Sequence, residues 1–226
     1  FFKKKIRFLY LNSNNYNKRI SPSNKNSLEY RPSPSLLDCL IKYDKKRINI
    51  KNYSLNQIWN NQNLEEKDHK KLNSFFWLFS LDLKSSKKDT QNIILQWIEK
   101  NYNYNPISWQ IDIISKRVIA WISNSRLTYE EGESTYKEKF NNVIKKQINH
   151  LINEIEKSEL VDDKMIGCAA IILTGLSYQD KNGYLDYGFN LLKKITKFSF
   201  DNDGFPKSRN LRQLNIYLKY FVLIRE

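Results

Sequence analysis

The segment from Pro106 to Ile122 constrains the fold more than any other stretch of the chain. Its apolar residues recur at spacings that place them along one face of a helix. They are Trp109, Ile113, Ile114, Val118, Trp121 and Ile122. An apolar face of this width packs against a protein core. Pro106 suits the first helical position, where its missing N–H is not needed, and Ser108 is a competing N-cap. The sequence therefore predicts a buried helix at the centre of the fold.

Arg117 lies on the apolar face of this helix, between Ile113 and Trp121. A guanidinium keeps its proton, so it needs a carboxylate, a set of carbonyls or an aromatic face. One interpretation is a structural arginine stacked on Trp121 and paired with a protein carboxylate. The other is an arginine in a cleft, where it holds the carboxylate of an acidic ligand beside indole rings. The residues alone leave both open.

Composition limits the classes of partner. The 226 residues carry a net charge of +14 and are 40% hydrophobic, which suits one globular domain. The excess of positive charge comes mostly from lysines, which occur in short clusters such as Lys3-Lys4-Lys5. No recognisable nucleic-acid-binding module accompanies these clusters, so we expect no nucleic acid partner. No apolar run is long enough to span a membrane. Cys39 and Cys168 stand alone, so neither a metal site nor another cofactor is expected.

The chain divides into two parts. Residues 1–64 form an N-terminal arm with a short apolar element at Ile6–Leu11, a short helix at Ser35–Tyr43 and an irregular segment at 44–64. Residues 65–226 form a helical domain. Its predicted helices are Leu72–Leu83, Ile93–Ile98, Pro106–Ile122, Ser134–Lys157, Met165–Leu176, Tyr184–Phe198 and Leu211–Ile224. Strand-like alternation is scarce, which predicts an all-α fold of sequential helical hairpins.

The loop from Asp201 to Asn210, here called the Asp-Gly loop, joins the last two helices. Gly204 can adopt a positive φ, Pro206 fixes the chain, and Ser208 or Asn210 can cap the next helix. Its acidic, basic and amide groups meet at the mouth of a helical pair, where a ligand could reach them. The alternative is an ordinary capped turn.

The order of several motifs resembles the helical domain of heparinase II/III-like proteins, a family of polysaccharide lyases. These motifs are Trp77-Leu78, Trp97-Ile98, Trp109 with Arg117 and Trp121-Ile122, and Asp203-Gly204 followed by Ser208-Arg209-Asn210. The resemblance covers residues 65–226. It implies an incomplete α/α toroid of helical hairpins, which a β-sandwich domain follows in complete members. Because the chain begins with Phe1 and ends at Glu226 without such a domain, we expect it to be a fragment.

The chemistry that the resemblance implies is β-elimination on a uronic-acid polymer. A base removes the proton α to the uronate carboxylate, whose charge must be neutralised, and an acid protonates the leaving oxygen. In this scheme Arg117 or Arg209 would hold the uronate, Asn210 would donate a hydrogen bond, and Trp109 or Trp121 would stack on a sugar ring. The implied partner is an acidic polysaccharide.

Two departures from the family pattern leave the catalytic base and acid unassigned. Active members carry an Asn or His near the start of the helix at Met165–Leu176, where this chain has Val161-Asp162-Asp163-Lys164. They carry a Tyr just after the Asp-Gly loop, where the nearest match is Gln213. His150 is expected to be a surface or half-buried histidine rather than a substitute base. The alternative function is therefore a non-catalytic domain that binds an acidic glycan or a partner protein. The sequence does not decide between the periplasm and the cytoplasm of a bacterium.

Overall fold

A computed structural model describes residues 2–23, 26–32, 59, 65–81, 86–179 and 183–225. Over these ranges the regular structure is helical and no β-strand forms, which confirms the predicted all-α class. The α-helices are α1 (Phe2–Leu11), α2 (Asn14–Arg19), α3 (Glu66–Ser74), α4 (Lys87–Asn101), α5 (Ile111–Ser123), α6 (Ser125–Thr128), α7 (Ser134–Glu154), α8 (Val161–Ser177), α9 (Tyr184–Ser199) and α10 (Leu211–Arg225). Two 3₁₀ segments, Phe76–Ser80 and Ile155–Lys157, extend this set. The toroid stays a prediction, and the helix predicted at Ser35–Tyr43, Cys39 and nearly all of segment 44–64 lie outside the described residues.

The central helix begins later than its apolar spacing predicts. Residues 106–109 form a turn, and α5 starts at Ile111 after Gln110 in the N-cap position. The Asn105 side chain causes this shift, because its Oδ1 accepts hydrogen bonds from the backbone N–H groups of Ile107 at 2.9 Å and Ser108 at 3.0 Å. An Asn side chain that satisfies nearby amides competes with helix formation. Neither Pro106 nor Ser108 therefore starts the helix.

The helix predicted across Leu72–Leu83 is divided at Phe75. Phe75 has a φ of 55°, in the left-handed region, so α3 ends there and a 3₁₀ segment follows. The phenyl ring is fully buried, with its centroid 6.0 Å from that of Trp97 and 5.1 Å from that of Trp121. Aromatic packing of this kind offsets the cost of a left-handed backbone.

Helix α8 lies at the centre of the helical domain and packs against α5, α9 and α10. Its middle consists of small and apolar residues, which are buried. At its contact with α9, a Cβ added to Gly188 would lie 2.4 Å from Ile172 Cγ1. The two backbones can approach this closely only because α9 has a glycine there. The helix predicted at Met165–Leu176 is confirmed as part of α8.

The start of the N-terminal arm packs onto the helical domain and shares its core. The segment after Leu11 contains α2, which is capped by the Ser13 side chain. Tyr16 and Ile20 are buried, and the Ile20 carbonyl accepts a hydrogen bond from Asn149 Nδ2 at 2.9 Å. Arm and helical domain therefore form one packed unit in this region.

His150, on α7, is buried rather than on the surface, with 3% of its area exposed. The Tyr16 hydroxyl lies 2.7 Å from its Nδ1, and a backbone hydrogen bond links the imidazole to Trp109. Burial lowers the pKa of His150 to about 3, because an imidazolium here would lose its hydration. The expectation of a surface or half-buried histidine was wrong, because the arm covers this side of α7.

We predict that His150 makes the stability of the protein depend on pH. Between pH 6.5, the ordinary pKa of histidine, and pH 3, the unfolded state binds a proton at this residue and the folded state does not. The free energy of unfolding should therefore fall with decreasing pH by up to about 1.4 kcal/mol per unit from this group alone.

Urea unfolding at several pH values, for the wild type and His150→Gln, measures this contribution. Above pH 7 both side chains are neutral, so the difference there isolates the structural effect of the substitution. At lower pH the stability of the variant should decline less steeply than that of the wild type. Two curves that stay parallel down to pH 4 would contradict the assignment.

Candidate functional site

Arg117, one of the predicted ligand-binding residues, is fully buried. Its Nε donates to Gln147 Oε1 at 3.0 Å, and its two terminal nitrogens donate to the carbonyls of Asn73 at 2.7 Å and Ser108 at 3.0 Å. The guanidinium carbon lies 4.0 Å from the centroid of the Trp97 ring. Burial lowers the pKa of Arg117, because the charged form has lost its water.

These contacts correct the interpretations of Arg117 and its neighbouring indoles. The stacking partner is Trp97 rather than Trp121, and oxygens of Gln147 and the backbone accept from the guanidinium where a carboxylate was expected. Trp109 and Trp121 are buried as well, and Trp109 Nε1 donates to the Asn101 carbonyl at 3.0 Å. A polymer cannot reach these three side chains in this conformation. Their predicted contacts with a uronate or a sugar ring therefore do not fit this structure.

The Asp-Gly loop is folded around the carboxylate of Asp201. Asp201 Oδ1 accepts from the backbone N–H groups of Asp203 at 3.1 Å and Phe205 at 2.9 Å, and Oδ2 lies 2.8 Å from a terminal nitrogen of Arg209. The hydrogen bond from Phe205 and the nearby Arg209 lower the pKa of Asp201. Gly204 has a φ of 80°, as the turn requires. Arg209 remains exposed, so a ligand can reach it.

The two positions where the resemblance implies a base and an acid lie in direct contact. Gln213 Nε2 donates to Asp162 Oδ1 at 2.9 Å, which joins the start of α10 to the start of α8. Ser208 Oγ donates to Gln213 Oε1, and the exposed Asn210 caps α10. Tyr217, one turn along α10, is buried beside Asp162, and burial raises its pKa. Asp162 can accept a proton, whereas the amide of Gln213 is a poor proton donor.

A groove of about 770 Å³ lies between the start of α8 and the second half of α9. Its apolar wall consists of Val161, Leu191, Ile195 and Phe198, and its charged groups are Lys164, Lys194, Lys197, Lys207, Glu156 and Glu159. We call it the lysine groove, because four lysines against two glutamates leave it with a net positive charge. Lys194 forms an ion pair with Glu156 at 2.8 Å. Lys207 belongs to the Asp-Gly loop, and its Nζ donates to the Lys197 carbonyl at 3.1 Å.

The lysine groove was not predicted from the sequence. Lys194 and Lys197 are three residues apart on α9, and this spacing is the one local signal for a basic helix face. Lys164 and Lys207 join them only through the packing of α8 and the return of the Asp-Gly loop. Of the predicted binding residues, Arg209 and Asn210 lie on this exposed side of the molecule, and Trp109, Arg117 and Trp121 lie in the core.

Comparison with protein-family models, with curated proteins and with solved structures finds no match to this chain. The resemblance to heparinase II/III-like proteins therefore stays a prediction. Among the described residues, no group of three or more His, Cys, Asp or Glu side chains could hold a metal ion. No helix in the described ranges has the length and apolar content needed to cross a membrane.

We predict that Arg117→Lys destabilises the protein by about 2–4 kcal/mol. The guanidinium bonds its three acceptors from three different nitrogens, and the single nitrogen of a lysine cannot reach all three positions, so buried acceptors are left unpaired. Urea unfolding measures the change. Arg209→Lys is the matched control, since Arg209 is exposed, and it should change the stability by no more than about 0.5 kcal/mol. Equal stability of the two variants would contradict a structural role for Arg117.

Proposed function

We propose that this helical region binds an acidic polysaccharide, as the substrate-binding part of a protein of the heparinase II/III-like kind. The observation that supports this most is the lysine groove, a concave surface with a net positive charge beside the Asp-Gly loop. Arg209 follows two residues after Lys207 on that loop and is exposed. Binding therefore relies on the groove and the loop, and the core arginine Arg117 has no direct part in it.

The chemistry of the groove suits an acidic sugar on two counts. Lysine ammonium groups pair with carboxylates or sulfates as point charges, and they tolerate the varied positions of these groups along a polymer. Sugar rings also present C–H faces, which pack against apolar and aromatic side chains. Phe198 on the groove wall and Phe205 on the loop are both exposed and can supply such contacts.

β-Elimination is the second candidate function, and the contact between Asp162 and Gln213 favours it. In this scheme Asp162 accepts the proton α to the uronate carboxylate and Arg209 neutralises that carboxylate. The phenol of Tyr217, which lies beside Asp162, is the candidate to protonate the leaving oxygen, and it is buried in this conformation. Binding needs none of these proton transfers, so it is the better supported function.

We predict that the double variant Lys164→Gln/Lys197→Gln binds an acidic polysaccharide about tenfold more weakly than the wild type, because two cations of the groove are lost. Calorimetric titration with alginate, heparin and chondroitin sulfate measures the affinity, and neutral dextran is the polymer control. The matched control protein is Lys88→Gln/Lys193→Gln. It loses the same charge from two exposed lysines outside the groove lining. Equal weakening by both variants would show that net charge, rather than the groove, binds the polymer.

Ultraviolet absorbance tests elimination with the same polymers, because the unsaturated uronate product absorbs there. If the protein is a lyase, we predict that wild-type protein gives a rising signal and that Asp162→Asn abolishes it while polymer affinity changes less than twofold. Asn keeps an acceptor for Gln213 but cannot take the proton. Tight binding without any absorbance change would favour the non-catalytic form of the proposal, and an undiminished signal from Asp162→Asn would remove that residue from the mechanism.

A further inference from the structure

We propose that helix α1 binds the surface of an anionic lipid bilayer, an interaction separate from the proposed glycan site. Phe2, Ile6 and Leu9 are separated by four and three residues, so they lie on one face of the helix. Their exposed fractions are 74%, 52% and 62%. These three residues, here called the apolar stripe, form an outward apolar face on a helix where solvent-facing positions are normally polar.

The opposite side of α1 attaches the helix to the rest of the protein. Leu11 is buried, and the Arg7 guanidinium pairs with Glu154 at the end of α7. Tyr10, one turn after Ile6 at the edge of the apolar stripe, packs its ring edge-on against buried Tyr16, with 5.1 Å between the ring centroids. These contacts leave the apolar stripe facing away from the core. The helix is thus held in an orientation that displays its apolar side.

The charge around the apolar stripe points to an anionic partner. The first 20 residues contain six Lys or Arg side chains and no Asp or Glu. Lys5 is exposed and lies one turn before Leu9 on α1. On α2, Arg19 donates from a terminal nitrogen to the Tyr10 hydroxyl at 3.1 Å, which brings a second cation to the helix. Cations beside an apolar face can reach lipid phosphates while the apolar side chains enter the acyl region.

A bilayer surface fits these features better than a protein partner does. Interfacial helices combine Phe and Leu on one side with Lys and Arg around them, and they lie in the plane of the membrane. An exposed phenylalanine at position 2 can insert among acyl chains without any change in the packing of Leu11 or Tyr16.

Co-sedimentation with vesicles tests the proposal. The wild-type protein should bind vesicles of phosphatidylcholine containing 30% phosphatidylserine at least about tenfold more tightly than vesicles of phosphatidylcholine alone, and added salt should weaken the binding. Ile6→Ser/Leu9→Ser should reduce binding to the anionic vesicles by about tenfold or more, because two apolar anchors are lost. The matched control is Leu211→Ser/Leu218→Ser, which alters two exposed leucines of α10 and should bind as the wild type does.

Insertion is measured separately with the variant Phe2→Trp. Brominated lipids should quench the tryptophan fluorescence of this variant more strongly than that of the wild type. Absence of binding to anionic vesicles, or equal losses in the two double variants, would overturn the proposal. So would a dimer in sedimentation velocity that Ile6→Ser/Leu9→Ser dissolves, since the apolar stripe would then belong to a second copy. Glycan affinity measured on the same variants should not change, so failure of one proposal leaves the other untouched.

Discussion

The buried guanidinium of Arg117 is the constraint on which the arrangement of the helical domain depends. A charge removed from water loses several kcal/mol of hydration unless fixed partners replace it. Here oxygens from α3, from the turn before α5 and from α7 replace it, and the Trp97 ring covers one face. Each oxygen comes from a different part of the chain, so these parts must assemble together. Phe75, with its left-handed backbone, then packs between Trp97 and Trp121 and completes this centre.

Sequence periodicity predicted those features of the fold that depend on neighbouring residues. The all-α class, the apolar face of α5 and the close packing of α8 follow from spacing and composition. The start of α5 and the division at Phe75 did not follow, because the Asn105 side chain and a cluster of aromatic rings override the periodic pattern. The hydrogen-bond partners of Arg117 could not be predicted from the sequence either. A carbonyl such as that of Asn73, 44 residues away in the chain, has no sequence signature.

The candidate site shows the same limit. The start of α8 and Gln213 were named as positions where this chain departs from the family pattern, and their hydrogen bond through Asp162 could not be predicted from the sequence. The indole and guanidinium groups that were predicted to bind sugar serve the core instead. The lysines that line the groove come from α8, α9 and the loop, and only tertiary packing gathers them. A positively charged groove assembled from three separate elements therefore leaves little trace in the sequence.

The two proposed surfaces are connected through one short segment. Glu154, at the end of α7, pairs with Arg7 of α1 and also accepts from Lys157 at 2.7 Å. Glu156, between them in sequence, pairs with Lys194 in the lysine groove. Residues 154–156 therefore form ion pairs both with α1 and with the wall of the lysine groove. If α1 lies on a bilayer, this linkage fixes the orientation of the groove relative to that surface. An acidic polymer near the membrane would then meet the groove at a defined angle, because the buried side chains of Leu11, Tyr16 and Ile20 hold the start of the arm against the helical domain.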